Sequence, residues 1–364
     1  MKVVVGMSGG VDSAVAAYLL KEQGYDVVGL FMKNWDSNIN NDKEGIVEGV
    51  CPQELDYRDA KAVCDELCIP LYRVDFIKEY WDDVFSYFLR ELEKGRTPNP
   101  DIMCNKYIKF DVFKKEAKKL GADKIATGHY ARMVDGKLLR AKDLNKDQTY
   151  FLCQVSKEQL KDVMFPVGDL TKTEVRKIAE ENNIPVYNKK DSTGICFIGE
   201  RHYQEFIANY LKGKSGDIVD VETKKKVGTH KGLMNYTIGQ RRNVGLSGDL
   251  KRHYVCGKDS KTNTLYVAYG DDSKYLLSDE AIIEDVNHIS DKLPKNATAK
   301  FRYRSEDIPV DIEYIDDKTL KVKYKDGKAI TPGQACVIYD NEECIMGGII
   351  KQVFKEGKDL WYLK

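Results

Sequence analysis

The sequence predicts an α/β domain on a doubly wound parallel sheet, then a small mixed domain and a C-terminal β-barrel domain. Three observations carry this. Strand and helix patterns alternate over the first half of the chain. A Gly-Gly turn, Gly9-Gly10, joins the first strand to the first helix. Beyond Gly213 the pattern becomes strand-like runs separated by Gly, Asp and Asn turns.

Taken in order, residues 3–7 form an apolar, β-branched strand, and 13–23 a helix with Val15, Ala16, Leu19 and Leu20 on one face and Gly24 as its stop. A strand at 26–32 is followed by a polar stretch, 34–54, long enough to suggest a functional loop. Then come a helix (57–67), a strand (71–76), an aromatic-rich helix (79–93), a Pro98/Pro100 loop (95–105), a helix (106–120) and a strand (124–127) leading into Gly128-His129-Tyr130. Asp135-Gly136 marks a hairpin within 132–141. Thr171-Lys172-Thr173-Glu174 is a capping box opening a helix to Asn182. Residues 188–199 read as a polar loop and 203–211 as a short helix. The expected domains are 1–200, 201–285 and 286–364.

The 364 residues suit two or three domains. Lys+Arg and Asp+Glu both number 58, with 42% hydrophobic and 32% charged residues. This is a soluble globular composition, which excludes collagen, disulfide miniproteins and wholly disordered chains. No run approaches the roughly 18 apolar residues of a membrane span. The N-terminal apolar run is too short for a signal peptide. Nine irregularly spaced cysteines without a Cys-x-x-Cys pair point to a reducing cytoplasm and away from zinc. Two local excesses, a net +7 over 212–258 and +4 over 102–119, make an anionic partner such as RNA worth testing.

Gly6-Met7-Ser8-Gly9-Gly10-Val11-Asp12-Ser13 stands at a strand-to-helix junction. Glycines let backbone approach phosphate oxygens, and helix N–H groups and dipole favour an anion there. Asp12 either caps the helix or holds a magnesium ion riding on the phosphates. No Gly-Lys-Ser/Thr follows, so this is not a Walker loop. The string resembles the PP-loop of the ATP pyrophosphatases, a fold close to the adenine nucleotide alpha hydrolases, whose members split ATP between α and β phosphates and adenylate a carbonyl-type oxygen.

Cys104 lies at an expected helix start next to Lys106, a setting that favours thiolate. Cys196 lies in a glycine-bracketed loop. Two such thiols beside an ATP loop suit sulfur transfer: one carries a persulfide, and the other attacks its inner sulfur to leave a disulfide. Asn-Pro-Asp-x-x-Cys-Asn-Lys (99–106), Ala-Thr-Gly-His-Tyr-Ala (126–131), Lys-Asp-Gln-Thr-Tyr-Phe-Leu (146–152), Ser-Thr-Gly-Ile-Cys-Phe-Ile-Gly-Glu (192–200) and Tyr-Thr-Ile-Gly-Gln-Arg (236–241) occur in that order. Together they resemble the tRNA-specific 2-thiouridylases of bacteria and organelles, over nearly the whole chain.

That resemblance implies ATP-dependent 2-thiolation of the wobble uridine of tRNA. It makes Cys196 the persulfide carrier and Cys104 the resolving nucleophile. Asn99, Pro100 and Asp101 meet the target base, Asp101 as candidate general acid/base. Gly6 to Ser13, Met32 and Gly128 contact ATP, accompanied by Mg2+. Lys146, Asp147, Gln148, Gln240, Arg241, Arg302 and Tyr303 contact tRNA. A persulfide sulfur-donor protein, a cysteine desulfurase or a relay, is the expected partner. An iron–sulfur cluster on Asp101, Cys104 and Cys196 is disfavoured, since thiolates are its usual ligands. The competing readings are a PP-loop ligase or amidotransferase adenylating a small metabolite, and a non-enzymatic RNA-binding module.

Overall fold

The computed structural model describes residues 1–40, 42, 50–191, 203–246 and 252–364. Cys196, the rest of the 192–200 motif and Lys251 lie outside the described residues. So does much of the 34–54 stretch.

Strand β1 (Lys2–Met7) carries three consecutive valines, Val3, Val4 and Val5, with no exposed surface. Such a run suits a strand covered on both faces. It pairs in parallel with β2 (Asp26–Lys33), and β2 with β3 (Leu71–Asp75). On its other side lies β4 (Lys124–Ala126). The hairpin β5 (Ala131–Val134) and β6 (Lys137–Arg140) precedes β7 (Val163–Met164), which completes the parallel order β3-β2-β1-β4-β7. The order reverses between β1 and β4. In open α/β sheets the crevice at the carboxyl ends of such strands is where ligands bind.

Helices cover both faces. Residues from Val11–Glu22, Pro52–Glu66 and Lys172–Glu181 share one core with Val3 and Val5. The opposite core, with Val4 and Leu30, takes Phe85, Phe88, Ile108 and Phe113. The expected capping box is formed: Thr171 accepts from the Glu174 N–H while Glu174 accepts from the Thr171 N–H. Asp135 and Gly136 both take positive φ, as a tight hairpin turn requires.

Two expectations are corrected. The proline-rich loop ends early: a helix begins at Pro100, with the Asn99 side chain accepting from the Asp101 N–H at 3.1 Å. Proline suits a first helical position because its missing N–H would have no partner there. Cys104 thus lies a full turn inside the helix, where a π-helical stretch, Cys104–Val112, begins. The expected division at 285 falls inside a single strand, Leu277–His288.

The central domain pairs β8 (Gly216–Asp220), β9 (Lys226–His230), β10 (His253–Asp259) and β11 (Thr264–Tyr269) in the order β10-β11-β8-β9. Beyond it, β12 (Leu277–His288), β13 (Asn296–Lys300), β14 (Ile308–Asp316), β15 (Thr319–Lys328), β16 (Ala335–Asp340) and β17 (Glu343–Lys355) form a six-stranded barrel, closed by β12 against β17. Closure removes sheet edges. The β5–β6 hairpin joins this sheet through Leu139 opposite Glu343, so the first domain reaches into the last.

Candidate functional site

The glycine-rich loop sits at the reversal between β1 and β4. Ser13 Oγ accepts from the Ser8 N–H at 3.2 Å and donates to the Gly10 carbonyl at 3.1 Å, and Ser8 Oγ lies 3.0 Å from it. Gly10 gives the helix no side-chain cap. Gly9 has φ +75°, and a Cβ there would lie 2.3 Å from the Asp56 carbonyl oxygen. A Cβ on Gly128 would lie 2.6 Å from Ser13 N and 2.7 Å from Asp12 C. The end of β4 therefore presses bare backbone against the start of helix Val11–Glu22. Glycine backbone at a helix start is the kind of surface that suits an anion, although here the Ser8 and Gly10 N–H groups donate to Ser13 Oγ and Ser8 Oγ. Met7 and Val11 are core side chains, so they offer a ligand only backbone. Gly6 lies within β1, and Met32 is half-buried near the carboxyl end of β2.

Asp12 does not cap its helix. Its carboxylate accepts from Lys172 Nζ at 2.7 and 2.9 Å and from the Tyr130 hydroxyl at 2.8 Å. Lys172 also reaches Asp191 at 2.8 Å, and Asp191 takes Lys146 and Arg176 as well, each at 2.7 Å. Burial would raise the Asp191 carboxyl, but its bonds to Lys146 and Lys172 hold it at about 2. Lys189 donates to the Gly9 carbonyl at 3.1 Å and pairs with Asp56 and Asp59. Sequence reasoning missed Lys172, Tyr130, Asp191 and Lys189 as loop partners. The capping box flagged the helix that carries Lys172, but nothing local tied it to Asp12, 160 positions away.

Cys104 is 1% exposed, among core residues Ile102 and Ile108. Asp101 is half-buried, one helical turn before it, so the two share a helix face. Beside them, Asn105 donates to the Phe151 carbonyl at 2.9 Å. Lys106 donates to Gln154 Oε1 at 3.0 Å, and burial pushes its ammonium pKa down. Gln154 in turn donates to the Asp285 and Gly347 carbonyls of the barrel, both at 2.9 Å. His129 is structural: it is buried between Phe110 and Phe165 with Nδ1 2.8 Å from Thr127 Oγ1.

Several expected RNA contacts face inward. Asp147 is 3% exposed, accepting from the Ala141 N–H at 3.0 Å and Thr149 Oγ1 at 2.8 Å. Burial, opposed by those bonds, raises its carboxyl pKa. Arg302 donates to the carbonyls of Ile238 and Ala329 and to Thr331 Oγ1. It ties the central domain to the barrel. Tyr303 packs on Phe151 with centroids 4.4 Å apart. Both carboxylate oxygens of Asp147 and Nη2 of the half-buried Arg302 are thus engaged inside the protein. Gln148 accepts from the Tyr130 N–H, and Gln240 bonds to Thr237 N and the Arg242 carbonyl. Arg241, Arg242, Arg252 and Arg304 are exposed. Lys226 pairs with Asp217 at 2.6 Å, and Lys224 lies over the Trp361 ring.

Among the described residues no group of three His, Cys, Asp or Glu side chains could hold a metal. The Asp101, Cys104 and Cys196 set is not described as a whole. Among the described residues no helix is long and apolar enough to cross a membrane.

Three family models match in succession: a tRNA methyl transferase HUP domain over residues 1–200, a tRNA methyl transferase PRC-barrel domain over 204–269 and an aminomethyltransferase beta-barrel domain over 278–350. The tRNA-specific 2-thiouridylase MnmA of Mycoplasmopsis synoviae (strain 53) is 54% identical over 99% of this chain and 98% of its own. The one from Metamycoplasma arthritidis (strain 158L3-1) is 54% identical over 100% and 99%. That of Staphylococcus carnosus (strain TM300) is 53% identical over 100% and 98%. A glycine-rich loop at the reversal of a parallel sheet, a central domain and a closed barrel, matched end to end at this identity, place the chain in the family of tRNA-specific 2-thiouridylases.

Proposed function

We propose that this protein is an ATP-dependent tRNA-uridine 2-sulfurtransferase of the cytoplasm. Full-length identity above half to relatives so named carries the reading. The amide cradle of Ser8 to Ser13 and Gly128 supports it, because it suits the phosphates of ATP. Lys172 and Lys189 lie beside it, and phosphate would have to draw them from the carboxylates of Asp12, Asp191, Asp56 and Asp59 that they now pair with. Asp12 is engaged by Lys172, so magnesium arriving with the nucleotide would have to displace that ammonium.

The chemistry proceeds in three bond exchanges. The uridine O2 attacks the α-phosphorus of ATP and pyrophosphate leaves. The terminal sulfur of a Cys196 persulfide, having lost its proton, attacks C2, and AMP leaves with the former O2. The Cys104 thiolate attacks the Cys196 sulfur; the S–S bond to the base breaks, and its electron pair stays on the new thiocarbonyl sulfur. A Cys104–Cys196 disulfide remains and is reduced by an external thiol. Asp101, one turn from Cys104, takes protons released along the way. A persulfide-bearing donor protein reloads Cys196. The exposed Arg241 and Arg242 contribute phosphate contacts.

The test is mass spectrometry of nucleosides from tRNA incubated with the protein, ATP, magnesium and a persulfide donor. 2-Thiouridine, AMP and pyrophosphate are expected. Cys104→Ser and Cys196→Ser each abolish the thionucleoside; product formation retained by either variant would remove the persulfide scheme.

A further inference from the structure

A cavity of about 450 Å³ opens where the first domain meets the central one, walled by Phe88, Thr97, Pro98, Tyr203, Asn235 and Gln240. Its size lies within the range of ligand sites. Two residues of its lining, Thr97 and Asn235, each carry a buried oxygen, Oγ1 and Oδ1, that meets no hydrogen-bond partner among the described residues. Buried oxygens left so are costly unless something that binds there satisfies them. Asn235 Nδ2 donates to the Lys231 carbonyl at 3.1 Å, which fixes the amide and leaves Oδ1 as a pure acceptor.

Thr97 is rigidly held. Its N–H donates to the Pro332 carbonyl at 3.0 Å, and its carbonyl accepts from Gln334 Nε2 at 2.6 Å. Gly333, at φ +92°, allows that approach; a Cβ there would lie 2.8 Å from Thr97 N. The hydroxyl is thus presented by a backbone that the barrel has already ordered. Phe88 and Tyr203 meet edge to face on another side of the cavity.

We propose that this cavity binds a neutral nucleobase of the RNA, the one adjacent to the base being modified. The inference rests on the tRNA reading above. Among the described residues no Lys or Arg lines the cavity and Glu205 does, which disfavours a phosphate. A planar heterocycle suits an aromatic wall, and its N–H donors would satisfy Asn235 Oδ1. Continuity selects a neighbouring base: Thr97 and Pro98 run directly into Asn99-Pro100-Asp101, the segment expected to meet the target uridine.

The test is a binding cycle at fixed salt on the full chain, by fluorescence anisotropy of anticodon stem-loops. One RNA is intact, and two are abasic on either side of the target uridine. Asn235→Ala and Thr97→Val each weaken binding of intact RNA roughly fivefold, and Thr97→Ser keeps it. On one abasic RNA, Asn235→Ala causes no further loss. Unchanged affinity for intact RNA, or losses that multiply on both abasic RNAs, would overturn the proposal; a water-filled or peptide-binding cavity predicts the first of these. Circular dichroism shows whether the variants are folded, and Thr97→Ser controls for the site's packing. Because binding is the readout, absence of 2-thiouridine with the parent protein would count against the sulfurtransferase reading and leave this cycle standing.

Discussion

Gly128, like Gly9, is a residue whose identity the fold constrains directly around the loop. A methyl group there would have to displace the backbone of Asp12 and Ser13, because no flexible side chain can yield in its place. Overpacking against backbone costs about 1–3 kcal/mol and moves the amides that would face phosphate. Gly128→Ala is therefore expected to cut ATP-dependent pyrophosphate release by at least about tenfold, with the far-ultraviolet spectrum kept. Parental release would show that the β4 end plays no part in the cradle. At this scale the sequence was partly legible. Ser8, Ser13 and the glycines announce themselves by their spacing at a strand-to-helix turn. The partners of Asp12 do not, because Lys172 and Tyr130 reach it only through the folded sheet. Asp147 and Arg302 show the same limit. A motif names them, but their burial depends on residues such as Ala141, Ile238 and Thr331, which meet them only in three dimensions.

Elements with short-range punctuation were readable, since Thr171-x-x-Glu174 and Asp135-Gly136 act within a few residues. Pro98 and Pro100 misled because a helix-breaking residue is tolerated at a first helical position, and only the Asn99 side chain reveals that one starts there. Strand β10 carries a feature that no pattern predicts. Lys258 is 3% exposed, and its ammonium donates to the Gly95 carbonyl at 3.0 Å. Burial pushes its pKa from 10.5 down to about 7. The unfolded chain thus binds more protons than the native one between those values, so this group's contribution is complete above pH 10.5 and lost as the pH falls to about 7. Lys258→Met removes the buried charge and is expected to stabilise the protein by about 1–4 kcal/mol at pH 7. The gain shrinks toward pH 10 in urea melts compared pairwise across pH. A gain independent of pH, or a loss at pH 7, would mean that the bond to Gly95 outweighs desolvation.

At the scale of the whole molecule, the barrel and the central domain are bound to the first domain by polar contacts that converge on the segment before Cys104. Arg96 links Glu91 at 3.1 Å to Glu284 on β12 at 2.9 Å, Lys258 holds Gly95, and Gln334 and Pro332 hold Thr97. Gln154 joins Lys106 to the barrel from the far side. The barrel therefore acts as a buttress for residues 95–106 of the α/β domain. The Glu91 side chain is 7% exposed, so removing Arg96 leaves a buried carboxylate with Lys94 as its one ion-pair partner among the described residues. Arg96→Met is expected to cost about 2–4 kcal/mol, within the range for breaking a mostly buried pair after allowance for partial exposure. The loss should split a single urea transition into two, the barrel and the first domain no longer melting together. Thiolation should fall further than the folded fraction does, because the Asn99–Asp101 segment loses its support while the glycine-rich loop, packed at β1 and β4, keeps its own. A variant that melts in one step with activity proportional to the folded fraction would reduce the barrel to an appended module.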